Sequence, residues 1–134
     1  MKYAAIGTDP KTRRDVSVLS LGTMHFGTAT DEATSFAILD RYVEAGGTFI
    51  DTADSYGYWF NGGQGGESEE LLGRWRRSRG AGDEIVIATK LGARPLSPGT
   101  SFMPSRLMTV PPRACRGPAC GNRLICCSGP PLTE

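Results

Sequence analysis

Thr48-Phe49-Ile50-Asp51-Thr52-Ala53 is the stretch that decides the fold class of this sequence. It is brief and mostly apolar, which predicts a strand covered on both faces, as in a parallel sheet. Asp51 is its odd member, because it is the only charged residue among apolar and small neighbours. The elements predicted on either side of this strand determine which architecture it belongs to.

Two further strands are predicted, one before and one after this stretch. Val16-Ser17-Val18-Leu19-Ser20-Leu21 alternates apolar and polar residues at first, is rich in β-branched residues and stops at Gly22. Glu84-Ile85-Val86-Ile87-Ala88-Thr89 is predicted as the third strand, and Lys90 stands at its end.

A helix is predicted between each pair of consecutive strands. The first has Thr30 as its N-cap and ends at Gly46-Gly47, where glycine supplies the left-handed conformation of a C-cap. Its apolar residues recur at three- and four-residue spacing: Phe36, Leu39, Tyr42 and Val43. The second has Ser68 as its N-cap, and its inward residues are Leu71, Leu72 and Trp75. Four arginines, Arg74, Arg76, Arg77 and Arg79, gather towards its C-terminal end, where cations complement the helix dipole.

Strands alternating with helices over short connections predict an α/β protein with a parallel sheet. The pattern fits either an open doubly wound sheet or the first part of an eight-stranded (β/α)8 TIM barrel. A complete barrel takes about 250 residues and rarely fewer than ~200. The 134 residues therefore hold at most a partial barrel of about three βα units. The apolar faces of Phe49, Ile50, Val86 and Ile87 would then lack an opposite barrel wall, which predicts marginal stability.

Charge and hydropathy exclude several classes of partner. Fifteen basic and fourteen acidic side chains give a net charge of +1, which creates no overall field for nucleic acid or an anionic membrane. No apolar run approaches the ~18 residues that cross a bilayer. The first ten residues break off before a signal-peptide core could form, so a cytoplasmic location is predicted.

The composition changes after Lys90. Of the fourteen acidic residues only Glu134 lies beyond it, whereas eight of the nine prolines and all four cysteines do. Residues 1–94 are therefore predicted to form the α/β segment, and residues 95–134 an irregular or disordered tail rich in Pro, Gly and Cys. Such a break resembles translation of a GC-rich gene in a shifted frame, which the nucleotide sequence would decide.

Residues able to carry chemistry collect at the predicted C-terminal ends of the strands, where parallel α/β folds place their functional groups. Gly22-Thr23-Met24 follows the first strand, Asp51 and Tyr56 lie at and beyond the second, and Lys90 follows the third. The side chains of Asp51 and Lys90 can meet and pair at one barrel mouth. Spacing alone leaves open whether this is a structural ion pair or part of a catalytic site.

Four stretches together resemble the aldo-keto reductase family. They are Leu21-Gly22-Thr23-Met24-His25-Phe26-Gly27, Phe49-Ile50-Asp51-Thr52-Ala53-Asp54-Ser55-Tyr56-Gly57, Glu67-Ser68-Glu69-Glu70-Leu71-Leu72-Gly73 and Ile87-Ala88-Thr89-Lys90-Leu91-Gly92. They occur in the family's order and cover most of residues 16–94. The resemblance implies a barrel enzyme that uses NADPH to reduce a small-molecule carbonyl, an aldehyde or ketone.

The resemblance also implies roles for individual residues. Asp51, Tyr56 and Lys90 match three members of the family's catalytic tetrad, and Thr23, Met24 and Asp51 match residues that line the cofactor's nicotinamide and ribose. Hydride arriving at a carbonyl carbon leaves an alkoxide, to which a phenol must donate a proton. A free tyrosine has a pKa of ~10, and the Lys90 ammonium is expected to lower the pKa of Tyr56. Asp51 would hold Lys90 charged and oriented.

The sequence departs from the family pattern at the fourth tetrad member, a histidine on the next strand. The only histidine is His25, which is interpreted as a loop or substrate-pocket residue. A fourth strand is expected about thirty residues after Lys90. That stretch, residues 115–127, has no pattern of a strand followed by a helix. The family's phosphate-binding elements near strands seven and eight also have no counterpart, so this chain is predicted to be inactive by itself.

Three other interpretations stand beside this one. The glycine-rich stretch at residues 62–66 could cradle a phosphate, but it lacks the spacing of a P-loop or dinucleotide fingerprint, which favours a flexible mouth loop. The spacing C-x4-C-x5-C-C does not fit paired zinc knuckles, so no metal site is predicted. A non-enzymatic module that self-associates through exposed sheet edges remains the alternative to a reductase segment.

Overall fold

The computed structural model describes residues 1–58 and 62–90, together with the backbone of residues 125–126. Within these ranges β1 (Tyr3–Ile6) and β2 (Arg14–Ser17) form an antiparallel hairpin. A second, parallel sheet has the order β3-β4-β5-β6. Its strands are β3 (Leu21–Gly22), β4 (Phe49–Asp51), β5 (Val86–Thr89) and β6 (Ile125–Cys126), and the helices are α1 (Glu32–Glu44) and α2 (Glu67–Arg79).

The sheet order agrees with a partial barrel. Helix α1 joins β3 to β4 and α2 joins β4 to β5, so each crossover connects neighbouring parallel strands. A doubly wound sheet reverses its strand order at a switch point. Here the order along the described sheet follows the order along the chain without reversal, which is the arrangement of a (β/α)8 barrel.

The core lies between the parallel sheet and the two helices. Leu39 of α1 and three residues of α2, Leu71, Leu72 and Trp75, are almost fully buried, as their spacing predicted. Ile50 and Ile87 are register partners in β4 and β5, and both belong to this cluster. The prediction that these two isoleucines face a missing barrel wall is therefore wrong, because they face the helices, which cover them. Phe49 and Val86 are also paired, and alternation places them on the opposite, barrel-interior face.

The predicted first strand is two strands. Arg14–Ser17 belongs to the hairpin, Leu21–Gly22 belongs to the parallel sheet, and Leu19 between them is exposed. Ser17 explains the break, because its backbone N–H donates to Thr48 Oγ1 at 2.9 Å and its hydroxyl donates to the Leu19 carbonyl at 2.8 Å. These bonds hold the bend that separates the two sheets. Strand β1 was not predicted.

Both helices begin at a different N-cap from the predicted one. Asp31, not Thr30, caps α1, and its Oδ1 accepts from the Thr34 N–H at 2.9 Å. Gly66, not Ser68, caps α2 with φ of 97°, a left-handed conformation that favours glycine. Ser68 instead lies in the first turn, where its hydroxyl donates to the Thr23 carbonyl at 2.9 Å.

Two residues of the predicted irregular tail join the sheet. Ile125 and Cys126 pair in parallel with Ala88 and Thr89, at the place in the sheet order of a fourth barrel strand. Residues 115–127 were predicted to show no barrel strand followed by a helix, and within them these two residues form a short strand. The predictions for the rest of the tail, including the cysteine side chains, fall outside the described residues. No helix in the described ranges is long and apolar enough to cross a membrane.

Candidate active site

Asp51, Tyr56 and Lys90 meet at the C-terminal end of the parallel sheet. Asp51 is the last residue of β4, Lys90 directly follows β5, and Tyr56 lies in the turn that follows β4. Lys90 Nζ lies 2.7 Å from Asp51 Oδ1 and 2.8 Å from Oδ2. The Tyr56 hydroxyl donates to Asp51 Oδ2 at 2.8 Å. The carboxylate therefore binds the ammonium and the phenol at once.

Lys90 is held by more than its ion pair. Its ammonium donates to the Thr52 carbonyl at 2.9 Å and lies 4.8 Å from the centre of the Tyr56 ring, within the range of a cation–π contact. The side chains of Lys90 and Asp51 are 46% and 38% exposed. The cluster is thus fixed by its neighbours and still open to a ligand from the solvent side.

The environment shifts the pKa of Tyr56 upward, against the expectation for a phenol beside an ammonium. Burial raises the Tyr56 pKa most, and the hydrogen bond and charge of Asp51 raise it further, which together outweigh the lowering effect of Lys90. For Lys90, burial lowers the pKa, but the hydrogen bonds and charges of Asp51 and Tyr56 prevail, so the net shift is upward. At neutral pH the pair is therefore a protonated phenol beside a charged ammonium.

The two other residues predicted to line a cofactor differ in accessibility. Thr23 is 0% exposed, and its hydroxyl lies 2.9 Å from the Asp51 carbonyl oxygen. It therefore has no surface to offer a ligand in this arrangement, and its hydroxyl instead holds the Asp51 peptide group. Met24 is 41% exposed, and His25 is exposed in the same turn, where its carbonyl accepts from the Thr30 N–H at 2.9 Å.

Sequence reasoning missed two polar residues beneath this cluster. Ser68 was interpreted as a helix cap, yet its hydroxyl is buried against Thr23 and Thr52. Glu69, which was only one residue of a family motif in the sequence analysis, accepts from the Thr89 hydroxyl at 2.7 Å. Burial raises the pKa of Glu69, and the nearby Asp54 charge raises it further. The signal in the sequence was a serine and a glutamate at the start of the second helix, together with a threonine at or directly after the end of each neighbouring strand.

The glycine-rich loop is anchored on the turn that carries Tyr56. Gln64 donates its backbone N–H to Glu67 Oε1. Gly57 has φ of 93°, a left-handed conformation that favours glycine, and it lies close to the Glu67 carboxylate. Three glutamates occupy the first turn of α2: Glu67, Glu69 and Glu70. Their charge opposes the binding of a phosphate at this helix N-terminus.

The described residues fit one end of a nicotinamide cofactor and not its phosphates. Asp51, Lys90 and Met24 have exposed side chains at the C-terminal end of the sheet. The basic side chains of the last turn of α2 lie at the other end of that helix, where Arg76 pairs with Asp83 and Arg79 with Asp40. Arg74, in the middle of α2, pairs with Glu32 at the start of α1. In the described ranges no group of three or more His, Cys, Asp or Glu is placed to hold a metal.

Comparison with known proteins agrees with this architecture. The model of the aldo/keto reductase family matches residues 18–109. Norsolorinic acid reductase stcV of Emericella nidulans is 52% identical over 82 residues, which cover 56% of this chain and 19% of the relative. An uncharacterized 11.2 kDa protein from the crtE 3′ region of Pseudescherichia vulneris is 40% identical over 94 residues, covering 69% of this chain and 88% of that protein.

Among solved structures, the holo form of aldo-keto reductase AKR11C1 from Bacillus halodurans superposes with a TM-score of 0.56 and 32% identity, covering 76% of this chain and 29% of that one. The α/β segment described here is thus part of a TIM-barrel architecture. The chain belongs to the aldo/keto reductase family. It spans 19% of the length of the norsolorinic acid reductase from Emericella nidulans.

Proposed function

We propose that residues 1–94 form the part of an NADPH-dependent carbonyl reductase that contributes its proton donor. The observation that carries this proposal is the contact of one carboxylate, Asp51, with both Lys90 and Tyr56 at the open end of the sheet. Family membership supports the reaction class, the reduction of an aldehyde or ketone to an alcohol. NADPH, when bound, would supply the hydride.

Tyr56 is the proposed proton donor to the developing alkoxide. Its raised pKa keeps the phenol protonated at neutral pH, so a proton is available. The hydroxyl proton is directed at Asp51 Oδ2, and it must turn from this carboxylate to the substrate oxygen. That change breaks one hydrogen bond to a charged acceptor and forms another to an oxygen that becomes negative during the reaction.

Lys90 and Asp51 prepare Tyr56 for this transfer. The ammonium lies over the phenol ring and favours the phenolate that remains after the proton has left. Asp51 holds Lys90 charged and in place. Asp51 and Met24 are the proposed contacts of the nicotinamide and ribose, whereas Thr23 would act through the Asp51 backbone.

Catalysis depends on groups held together in one preorganised site. Because 134 residues cannot build a complete barrel, we propose that this chain alone does not turn over NADPH. The family match ends at residue 109, and we propose that the sequence beyond it was read in a shifted frame.

A chimera tests the proposed function separately from the completeness of the chain. Residues 18–90 would replace the matching segment of the Emericella nidulans reductase, which is 52% identical over 82 residues. NADPH oxidation is then followed with small aldehydes and with norsolorinic acid. We expect turnover by the chimera. A folded chimera that binds NADPH but reduces no carbonyl would contradict the proposal.

A further inference from the structure

Three buried hydroxyl side chains lie directly beneath the Asp51–Lys90 pair. Thr23 follows β3, Thr52 follows β4, and Ser68 is in the first turn of α2. Their exposed fractions are 0%, 1% and 0%. Buried hydroxyls are costly unless each is hydrogen-bonded, so the partners of these three show what the arrangement holds in place.

Ser68 connects the other two. Its hydroxyl donates to the Thr23 carbonyl at 2.9 Å, and its oxygen lies 3.0 Å from Thr52 Oγ1 and 2.7 Å from Thr23 Oγ1. The Thr23 hydroxyl uses its hydrogen on the Asp51 carbonyl and Ser68 uses its own on Thr23, so the Ser68 oxygen accepts from the Thr52 hydroxyl. One helical side chain thus joins the ends of two neighbouring strands.

Both threonines are bonded in turn to the catalytic cluster. Thr23 Oγ1 lies 2.9 Å from the Asp51 carbonyl oxygen, which also accepts from the Thr23 N–H at 3.1 Å. The Thr52 carbonyl accepts from Lys90 Nζ at 2.9 Å. Ser68 therefore fixes two peptide groups through the threonines. One belongs to Asp51, and the other contains the Thr52 carbonyl that binds the Lys90 ammonium.

We propose that Ser68 is a positioning residue, which sets the place of Asp51 and Lys90, and through them of Tyr56, from beneath the sheet. The inference deepens the proposed reductase function and rests on it for its catalytic meaning. What it states about the structure, however, is that one buried hydroxyl affects the environment of Tyr56. That effect is measurable in this chain without cofactor or turnover.

The readout is the ionisation of Tyr56, followed by phenolate absorbance during a pH titration. Subtracting the titration of a Tyr56→Phe variant isolates this phenol from the other three tyrosines. Ser68→Ala removes the connecting hydroxyl. Ser35→Ala is the matched control, because Ser35 is also 0% exposed near the start of a helix but bonds to the Thr30 carbonyl, away from Asp51.

We expect Ser68→Ala to move the Tyr56 pKa down towards its ordinary value, because a loosened Asp51 no longer holds the phenol hydrogen, and Ser35→Ala to leave it in place. Thr52→Val removes the Thr52 bond to Ser68 while keeping side-chain shape, and we expect a shift in the same direction. Thr52→Val replaces Ser68→Ala in the test if Ser68→Ala shows no cooperative unfolding transition and is therefore not properly folded. An unchanged Tyr56 pKa in a folded Ser68→Ala or Thr52→Val variant, or an equal shift in Ser35→Ala, would overturn the proposal. Failure of the chimera to reduce carbonyls would overturn the reductase function and leave this result standing.

Discussion

The Tyr56 hydroxyl lies 2.8 Å from Asp51 Oδ2 and donates its proton to that carboxylate. This bond connects the last residue of β4 to the turn five residues further on, and it forms although the Lys90 ammonium is within 4.8 Å of the phenol ring. The proposed proton donor is therefore held by a carboxylate before any substrate is present. Proton transfer requires the hydroxyl to exchange this acceptor for the substrate oxygen.

Replacing the carboxylate tests which charge controls Tyr56. In Asp51→Asn the neutral amide oxygen can still accept a hydrogen bond, but the negative charge that raises the Tyr56 pKa is gone. We expect the Tyr56 pKa to fall, since burial alone then opposes the lowering effect of Lys90. Phenolate absorbance measures it, with Tyr56→Phe subtracted. A rise in the Tyr56 pKa would show that Asp51 acts mainly by holding Lys90 in place.

Glu69 makes stability depend on pH. Its folded-state pKa is raised above the ordinary 4.5 by burial, so its protonated form contributes stability that is full below pH 4.5 and is lost as the pH rises through the raised value. Glu69→Gln keeps an acceptor for the Thr89 hydroxyl without the charge. Between pH 4.5 and neutral pH, we expect the free energy of unfolding of the parent to fall relative to that of this variant.

The control for Glu69 is its exposed neighbour in the same turn. Glu70→Gln removes an equal charge from the start of α2. Denaturant unfolding at several pH values compares the two variants. If both change with pH in the same way, the effect comes from the helix dipole and not from the burial of Glu69.

Asp40 connects the two helices and satisfies a buried donor. Its Oδ1 accepts from Trp75 Nε1 at 2.8 Å, and Trp75 is 1% exposed. Asp40→Ala leaves this N–H without its partner, which is expected to lower the free energy of unfolding by about 1–3 kcal/mol. Asp40→Asn retains an acceptor and should cost less. Equal losses in the two variants, measured by denaturant unfolding, would contradict this account.

The same carboxyl predicts a loss of stability in acid. Hydrogen bonds from Arg79 and Trp75 hold the pKa of Asp40 below its ordinary 3.8. Its contribution is therefore present above pH 3.8 and is lost as the pH falls through the lowered value. The stability difference between the parent and Asp40→Asn should shrink over that range.

The purified chain is expected to show negligible affinity for NADPH and no turnover with generic aldehydes. Among the described residues, the Lys90 ammonium at the site is already paired with Asp51. The arginine-rich last turn of α2 lies at the other end of that helix. NADPH fluorescence titration and absorbance decay measure the two quantities. Saturable binding with turnover that Tyr56→Phe abolishes would mean that the tail or a partner chain completes the site.

Periodicity predicted the parts of the fold that bury a continuous face. Leu71, Leu72 and Trp75 recur at helical spacing because they pack on one sheet, so the inward face of α2 was evident. Strand β1 was not, since its residues are mostly exposed and show no alternation. Strand β6 has two residues, too few for any pattern.

Part of the candidate site was likewise evident from the sequence, and part was not. Asp51 and Lys90 were evident as charged residues at the ends of apolar strands, and family resemblance added Tyr56. The role of Ser68 was not evident, because a serine before a helical pattern is also what a helix cap looks like in sequence. Only the left-handed Gly66 at the N-cap position leaves the Ser68 hydroxyl available for Thr23 and Thr52.

The most direct measurement of the central claim is kcat/KM for carbonyl reduction by the chimera that carries residues 18–90, compared between its Tyr56→Phe and Tyr58→Phe variants. Tyr58 is the matched control, since it is a phenol two residues away in the same turn. If Tyr56 is the proton donor held by Asp51 and Lys90, Tyr56→Phe should lower kcat/KM by about 100-fold or more while NADPH affinity is retained, and Tyr58→Phe should change it little. Equal activity of the two variants would contradict the assignment of Tyr56.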